Sequence, residues 1–124
     1  MVSTGRGVDA EKVLRESIKR TWDERLINLY GTIADAKPKN MLKNAERWLL
    51  EHDDSGALKL ALARLGIAAG RLEDAEIWLK QAAASGRAPE AYAALGKVRE
   101  ESGDGDLALD FYRLGLQALE GSTS

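Results

Sequence analysis

Hydrophobic residues recur at spacings of three and four along almost the whole chain, which has only two prolines. That periodicity is typical of amphipathic helices, whereas strands alternate with a period of two. We therefore predict an all-α fold with seven helices and no strands. The helices are expected at about residues 9–20, 23–31, 40–52, 57–69, 72–84, 89–101 and 106–120.

Polar and glycine residues mark several of the predicted helix ends. Asp23 is a favourable N-cap for the second helix, and Asp54 or Ser55 can cap the fourth. Gly70 is expected to stop the fourth helix, because glycine accepts the left-handed backbone that follows many helix ends. Pro38 is expected in a loop at residues 34–39.

One short phrase occurs three times. Residues 45–49 read Ala-Glu-Arg-Trp-Leu, residues 75–79 read Ala-Glu-Ile-Trp-Leu, and residues 108–112 read Ala-Leu-Asp-Phe-Tyr. The spacings of 30 and 33 residues are typical of stacked helical repeats. Short loops between such helices favour antiparallel pairs. The expected organisation is a flexible lead-in at residues 1–8, an orphan helix at 9–20, helix pairs at 23–52, 55–84 and 88–120, and a flexible tail at 121–124.

Small residues occupy the positions where paired helices should approach each other. Ala63 and Gly96 share one repeat position, and Ala45, Ala75 and Ala108 share another. A larger side chain there would hold the helices apart at a cost of roughly 1–3 kcal/mol. Glycine inside a helix costs about 1 kcal/mol relative to alanine. We therefore predict a close helix contact at Gly96.

The last two helix pairs resemble the tetratricopeptide repeat. The matching residues are Tyr92, Leu95, Gly96, Gly103, Asp104, Ala108 and Tyr112 in the last pair, and Leu62, Ala63, Gly70, Ala75, Leu79 and Ala82 in the preceding one. Lys59 departs from the pattern, because an aromatic residue is usual there. The resemblance implies an α-solenoid of about three antiparallel helix pairs plus one leading helix, with a concave groove lined by the first helix of each pair.

A longer resemblance begins at Trp22. It includes Trp-Asp-Glu-Arg-Leu at residues 22–26, Leu-Tyr-Gly at 29–31, the phrase at 45–49 and Tyr-Arg-x-Gly-Leu at 112–116. These phrases resemble the C-terminal region of HemY-type proteobacterial proteins, which are tetratricopeptide proteins associated with haem biosynthesis. The resemblance implies a non-catalytic scaffold for protein–protein interaction, soluble and cytoplasmic, held at the inner membrane by a segment outside this chain. Two alternatives stay open: a generic adaptor unrelated to haem, and a module that carries porphyrin or haem.

The repeat register places nine residues on the expected concave face, where we predict that a protein or peptide partner binds. They are Tyr30, Ala57, Leu60, Arg64, Ile67, Glu90, Ala93, Lys97 and Glu100, with Ile27, Ala68 and Glu101 beside them. Apolar side chains next to Arg64 and Lys97 suit an amphipathic helix or an acidic peptide. The alternative is that these are ordinary surface residues, or that they contact repeats outside this chain.

The last helix has leucines on more than one side, namely Leu109, Leu114, Leu116 and Leu119. A solenoid usually ends in a helix with a polar outer face. We therefore expect this helix to pair with a second copy of the chain or with a partner.

Composition removes several classes of function. The formal net charge of −2 gives no basic footprint for nucleic acid, and the absence of cysteine excludes thiolate chemistry. His52 is the sole histidine and is expected to cap a helix C-terminus, where a cation suits the dipole. Residues 103–106 lack the distal ligands of a calcium loop. No segment reaches the roughly 18 apolar residues of a membrane span. We predict no enzyme activity, no cofactor, no metal and no direct membrane contact.

Overall fold

The structure is a computed structural model that describes the backbone of residues 4–33 and 37–123, and the side chains of residues 9–33 and 37–121. Within these residues the chain has seven α-helices and no strand, so the predicted all-α fold is confirmed. They are α1 (Thr4–Arg20), α2 (Glu24–Tyr30), α3 (Pro38–Leu49), α4 (Gly56–Ala68), α5 (Leu72–Ala82), α6 (Ala88–Glu101) and α7 (Gly105–Thr123), with a π-helical turn at Ala83–Arg87 between α5 and α6.

Three segments differ from the sequence prediction. The backbone of residues 4–8, expected as a lead-in, belongs to α1, and residues 121–123 of the expected tail belong to α7. Pro38 opens α3 instead of lying in a loop. The first turn of a helix tolerates proline because its missing N–H has no intrahelical partner there. Residues 1–3, 34–36 and 124 lie outside the described backbone.

The helix ends follow local chemistry. The Asp23 carboxylate accepts a hydrogen bond from the Arg25 N–H at 2.8 Å, and the Ser55 hydroxyl accepts one from the Leu58 N–H at 3.0 Å. Gly70 and Gly103 have φ angles of +82° and +85°. After Gly70, the N–H of Arg71 donates to the Gly66 carbonyl at 2.7 Å. After Gly103, the N–H of Asp104 donates to the Arg99 carbonyl at 2.9 Å. The turns that end α4 and α6 are therefore alike, 33 residues apart.

From α3 onward each helix packs on the next one, and α4/α5 and α6/α7 form close hairpins. The backbone of α2 instead packs on α1 and α4 rather than on α3. Gly31 permits this approach, because a Cβ added there would lie 2.8 Å from the Cα of Ala61. Between α2 and α3 lie the rings of Tyr30 and Trp48, with centroids 5.0 Å apart. The expected first pair, residues 23–52, is therefore not a close hairpin like the other two.

The small residues lie where the repeat predicts close packing. Ala45, Ala63, Ala75 and Ala108 are buried. A Cβ added to Gly96 would lie 2.7 Å from Cε1 of Tyr112 on α7, so the close contact predicted at Gly96 is confirmed. The group that needs the space is an aromatic ring rather than a second backbone.

Two hydrophobic clusters form the core, and α4 contributes to both. Leu58, Leu62 and Leu65 belong to the cluster that joins α1 to α4. Leu60 and Ala63 belong to the cluster that joins α4 to α6. A helix that is apolar on all sides is typically buried. The position of α4 at the centre decides which of its residues can reach a partner.

Candidate partner-binding groove

Three of the residues predicted to line the groove are in the core. The exposed fractions of Tyr30, Ala57 and Leu60 are 0%, 0% and 1%. Tyr30 packs against Trp48 of α3 and bonds to Glu11 of α1, and Ala57 and Ile27 belong to the same buried cluster. Leu60 is enclosed by Ala91 and Leu95 of α6. The prediction that these three side chains meet a partner is wrong.

A groove of about 250 Å³ lies between the C-terminal halves of α4 and α6. Its lining residues are Arg64, Ile67, Ala94, Lys97, Val98 and Glu101. The predicted residues Arg64, Ile67 and Lys97 are thus brought together, with Glu101 beside them. Ala94 and Val98 were missed, although both lie within one helical turn of Lys97 and a three-to-four-residue spacing could have found them.

The other predicted residues of α6 do not line the groove. Glu90 is exposed and pairs with Arg87 over 3.4 Å. Glu100 accepts a hydrogen bond from the Tyr112 hydroxyl of α7 at 3.2 Å. Ala93 and the expected neighbour Ala68 are exposed but lie outside the groove lining. The groove is therefore narrower than the concave face that the sequence predicted.

Arg64 is a part-buried cation without an acidic partner. Its Nη1 donates to the Asn28 side-chain oxygen of α2 at 2.8 Å, and it forms no ion pair with any described residue. Burial lowers the pKa of the Arg64 guanidinium, although the nearby Glu90 carboxylate partly opposes this effect. Removing part of a cation from water without an ion-pair partner is costly. An incoming carboxylate would offset that cost through charge-assisted hydrogen bonds.

Lys97 stands on the opposite wall of the groove, on α6. It is exposed, and the described part of the chain offers it no carboxylate within ion-pair distance. Ile67, Ala94 and Val98 supply the apolar surface between the two cations. The arrangement combines two positive charges that form no ion pair among the described residues with an apolar surface and the exposed carboxylate of Glu101.

His52 and the tryptophans make contacts within the fold. His52 stacks on Trp22 with ring centroids 3.6 Å apart and an interplanar angle of 7°. Its backbone N–H donates to the Trp48 carbonyl at 3.0 Å. Trp48 and Trp78 pack against the core clusters. Among the described residues no group of three or more histidine, aspartate or glutamate side chains is arranged to hold a metal ion.

The last helix has three leucines that are more than half exposed. Leu109, Leu116 and Leu119 of α7 are 53%, 61% and 51% exposed. In the preceding repeat, 33 residues earlier in the sequence, Glu76 occupies the position of Leu109 and Ala83 occupies the position of Leu116. On α5 that face is covered by α6, where Arg99 donates to Glu76 at 2.8 Å. The α7 stripe, defined here as Leu109 and Leu116, is therefore the equivalent of a surface that is covered elsewhere in the same chain.

None of the helices in the described ranges has the length and apolar character needed to cross a membrane. Comparison with protein-family models, with curated proteins and with solved structures finds no match to this chain.

Proposed function

We propose that this chain is a non-catalytic scaffold that binds a short acidic and apolar segment of a partner protein in the groove between α4 and α6. The observation that carries the proposal is the position of Arg64, which is part-buried in the groove and, among the residues that the structure describes, hydrogen-bonds to the neutral side chain of Asn28 and forms no ion pair. Such a cation favours a carboxylate ligand. Lys97 on the facing helix adds a second positive charge at the same place.

The size of the groove limits what it can hold. About 250 Å³ accommodates one or two side chains rather than a whole helix face. A partner segment with one acidic and one large apolar residue fits both the charge and the lining. Small interfaces of this kind are typically weak and transient. We expect micromolar rather than nanomolar affinity.

The tetratricopeptide and HemY-type resemblances support a scaffold of this class. Residues 22–26, 29–31 and 45–49 carry the HemY-type likeness. A place in haem biosynthesis near the inner membrane, a generic adaptor role and haem carriage all stay predictions from those residues. The groove proposal does not depend on the choice among them, because it rests on the geometry of α4 and α6.

The first test is a selection of displayed random peptides on the immobilised chain, followed by anisotropy measurements with the selected peptides. We expect the peptides to combine acidic and large apolar side chains. Replacing Arg64 and Lys97 together by glutamate is expected to weaken binding by about tenfold or more, because two attractive charges become repulsive. Circular dichroism checks that the variant keeps its helices.

The matched control is Lys39→Glu combined with Lys80→Glu, which changes the net charge equally at two exposed lysines outside the groove. This control should bind the selected peptides as the wild type does. Equal weakening in both double variants would show a general charge effect and would overturn the groove assignment. Selected peptides without acidic residues would also contradict it.

We also propose that the α7 stripe pairs with the same stripe of a second copy. The face that corresponds to it on α5 is covered by an amphipathic helix, and α7 is itself such a helix. A two-fold arrangement sets one patch against its own copy and so needs no second complementary surface. Asp110 and Arg113 on α7 pair with each other over 3.7 Å, so they neutralise each other beside the stripe.

Sedimentation equilibrium tests this pairing. The wild type is expected to dimerise as its concentration rises, and Leu109→Glu combined with Leu116→Glu is expected to stay monomeric, because two charges would be buried in the interface. Leu50→Glu combined with Ile77→Glu is the control. Both residues are exposed and apolar, but Leu50 lies just beyond α3 and Ile77 lies on α5, away from the α7 stripe. A wild type that remains strictly monomeric at high concentration would refute the dimer.

A further inference from the structure

A small basic pocket lies between α1 and α3 and shares no residue with the groove. Its volume is about 80 Å³, and it is lined by Arg15 and Lys19 of α1 and by Asn44, Arg47 and Trp48 of α3. That space holds a few water molecules or one tetrahedral oxyanion, and it is too small for a peptide segment. Three cations converge there although the chain carries a formal net charge of −2.

The floor of this pocket is held in place by hydrogen bonds. Glu11 accepts from Arg15 Nε at 2.9 Å, from Arg15 Nη2 at 3.4 Å and from the Tyr30 hydroxyl at 2.6 Å. Asn44 Nδ2 donates to the Tyr30 oxygen at 3.2 Å. The Glu11 side chain is only 12% exposed. Arg15 and Asn44 are therefore oriented before any ligand arrives, which lowers the entropy cost of binding.

The rim of the pocket supplies charge that Glu11 does not neutralise. Lys19 follows Arg15 by one helical turn, and Arg47 faces both from α3. Both are exposed, and neither forms an ion pair within the residues that the structure describes. Arg15 donates two of its five N–H groups to Glu11, and the others have no acceptor among the residues that the structure describes. Glu16, the other carboxylate that influences Arg15, is exposed.

We propose that this pocket binds a phosphate group, either as a free phosphate or as a phosphate monoester. Guanidinium groups match the geometry of phosphate oxygens and can bind them through two parallel hydrogen bonds. The ring of Trp48 forms an apolar wall, which limits competition by water. Glu11 already neutralises Arg15, so the pocket keeps the two positive charges of Lys19 and Arg47, which a doubly charged oxyanion would balance.

The test is a titration of the full chain with inorganic phosphate at constant ionic strength, followed by tryptophan fluorescence and calorimetry. We expect saturable binding with a dissociation constant in the millimolar range or tighter. Lys19→Gln combined with Arg47→Gln is expected to weaken phosphate binding by about tenfold or more, because hydrogen bonds from charged donors to phosphate are stronger than those from a neutral amide. Trp48→Phe should remove the fluorescence change while calorimetry still reports binding.

The control is Lys39→Gln combined with Lys80→Gln, which removes the same charge from exposed sites outside the pocket. It should bind phosphate as the wild type does. A response that never saturates, or that falls equally in both double variants, would show general screening and overturn the site. The groove test uses other residues, so its outcome is independent of this one.

Two further probes separate the possible sources of the phosphate group. O-phosphoserine represents a soluble monoester, and phosphatidylcholine vesicles containing phosphatidic acid represent a lipid headgroup. Stronger binding to either probe than to inorganic phosphate, lost in Lys19→Gln combined with Arg47→Gln, supports the pocket and identifies the source. Vesicle binding that is unchanged in that variant, without binding of either soluble probe, would overturn the proposal.

Discussion

Replacing Tyr30 by alanine is expected to lower the free energy of unfolding by about 3–5 kcal/mol, the range for losing a buried aromatic side chain. The ring has no exposed surface and packs edge-on against Trp48. Its hydroxyl donates to Glu11 of α1 at 2.6 Å and accepts from Asn44 of α3 at 3.2 Å. The substitution would therefore open a cavity and loosen the attachment of α1 together. Urea unfolding followed by circular dichroism measures the loss.

Tyr30→Phe is the control that separates the ring from its hydroxyl. It keeps the packing and should cost about 1–3 kcal/mol, because the Glu11 carboxylate and the Asn44 amide lose a partner. If Tyr30→Ala were no more harmful than Tyr30→Phe, the ring would lie at the surface, as the sequence alone had predicted.

Tyr30 also affects stability at alkaline pH. Burial and the hydrogen bond to Glu11 raise the pKa of the phenol in the folded protein. In the unfolded chain the phenol ionises with a pKa of about 10, so ionisation then favours unfolding. The stabilisation is fully present below that pH and is lost as the pH rises above it. Tyr30→Phe should lose less stability above pH of about 10 than the wild type does.

The sequence predicted the local features of the fold well, because their causes lie within a few residues. Helix order follows from apolar periodicity, which needs no knowledge of neighbours. The turns at Gly70 and Gly103 follow from the need for a left-handed residue at the end of each helix. The close contact at Gly96 follows from the cost of glycine inside a helix, since only a packing need explains it there.

The surroundings of α4 could not be predicted from the repeat register. The register assumes that the second and third helices form a hairpin, whereas α2 packs on α4 through the Gly31 contact with Ala61. Ala57, which the register had placed on a concave face, is buried in the cluster that joins α1 to α4. One signal was present: the leucines at 58, 60, 62 and 65 lie on several sides of α4, which favours a buried helix.

The candidate groove shows the same division between local and distant causes. Arg64, Ile67 and Lys97 were predicted because repeat spacing sets which side of a helix they occupy. Asn28 was missed because its contact with Arg64 spans 36 residues and depends on the position of α2. Distances between helices are tertiary properties that periodicity does not contain.

Leu60→Ala and Ile67→Ala form a matched pair of tests for this division of α4. Leu60 is 1% exposed and packs with Ala91 and Leu95, so its truncation should lower the free energy of unfolding by about 2–5 kcal/mol. Ile67 is part-buried on the groove wall, so its truncation should cost about 1 kcal/mol while weakening the binding of selected peptides. Thermal unfolding and anisotropy measure the two effects.

The two outcomes should not be interchangeable. Peptide affinity, measured well below the unfolding temperature, should be nearly unchanged in Leu60→Ala, because Leu60 does not line the groove. Suppose instead that Leu60→Ala left the stability unchanged but abolished peptide binding, while Ile67→Ala destabilised the fold. The side of α4 that carries Leu60 would then be exposed and the side that carries Ile67 would be buried. The partner would then contact the face that α6 covers in this structure, and the groove defined by Arg64, Ile67 and Lys97 would not be the binding site.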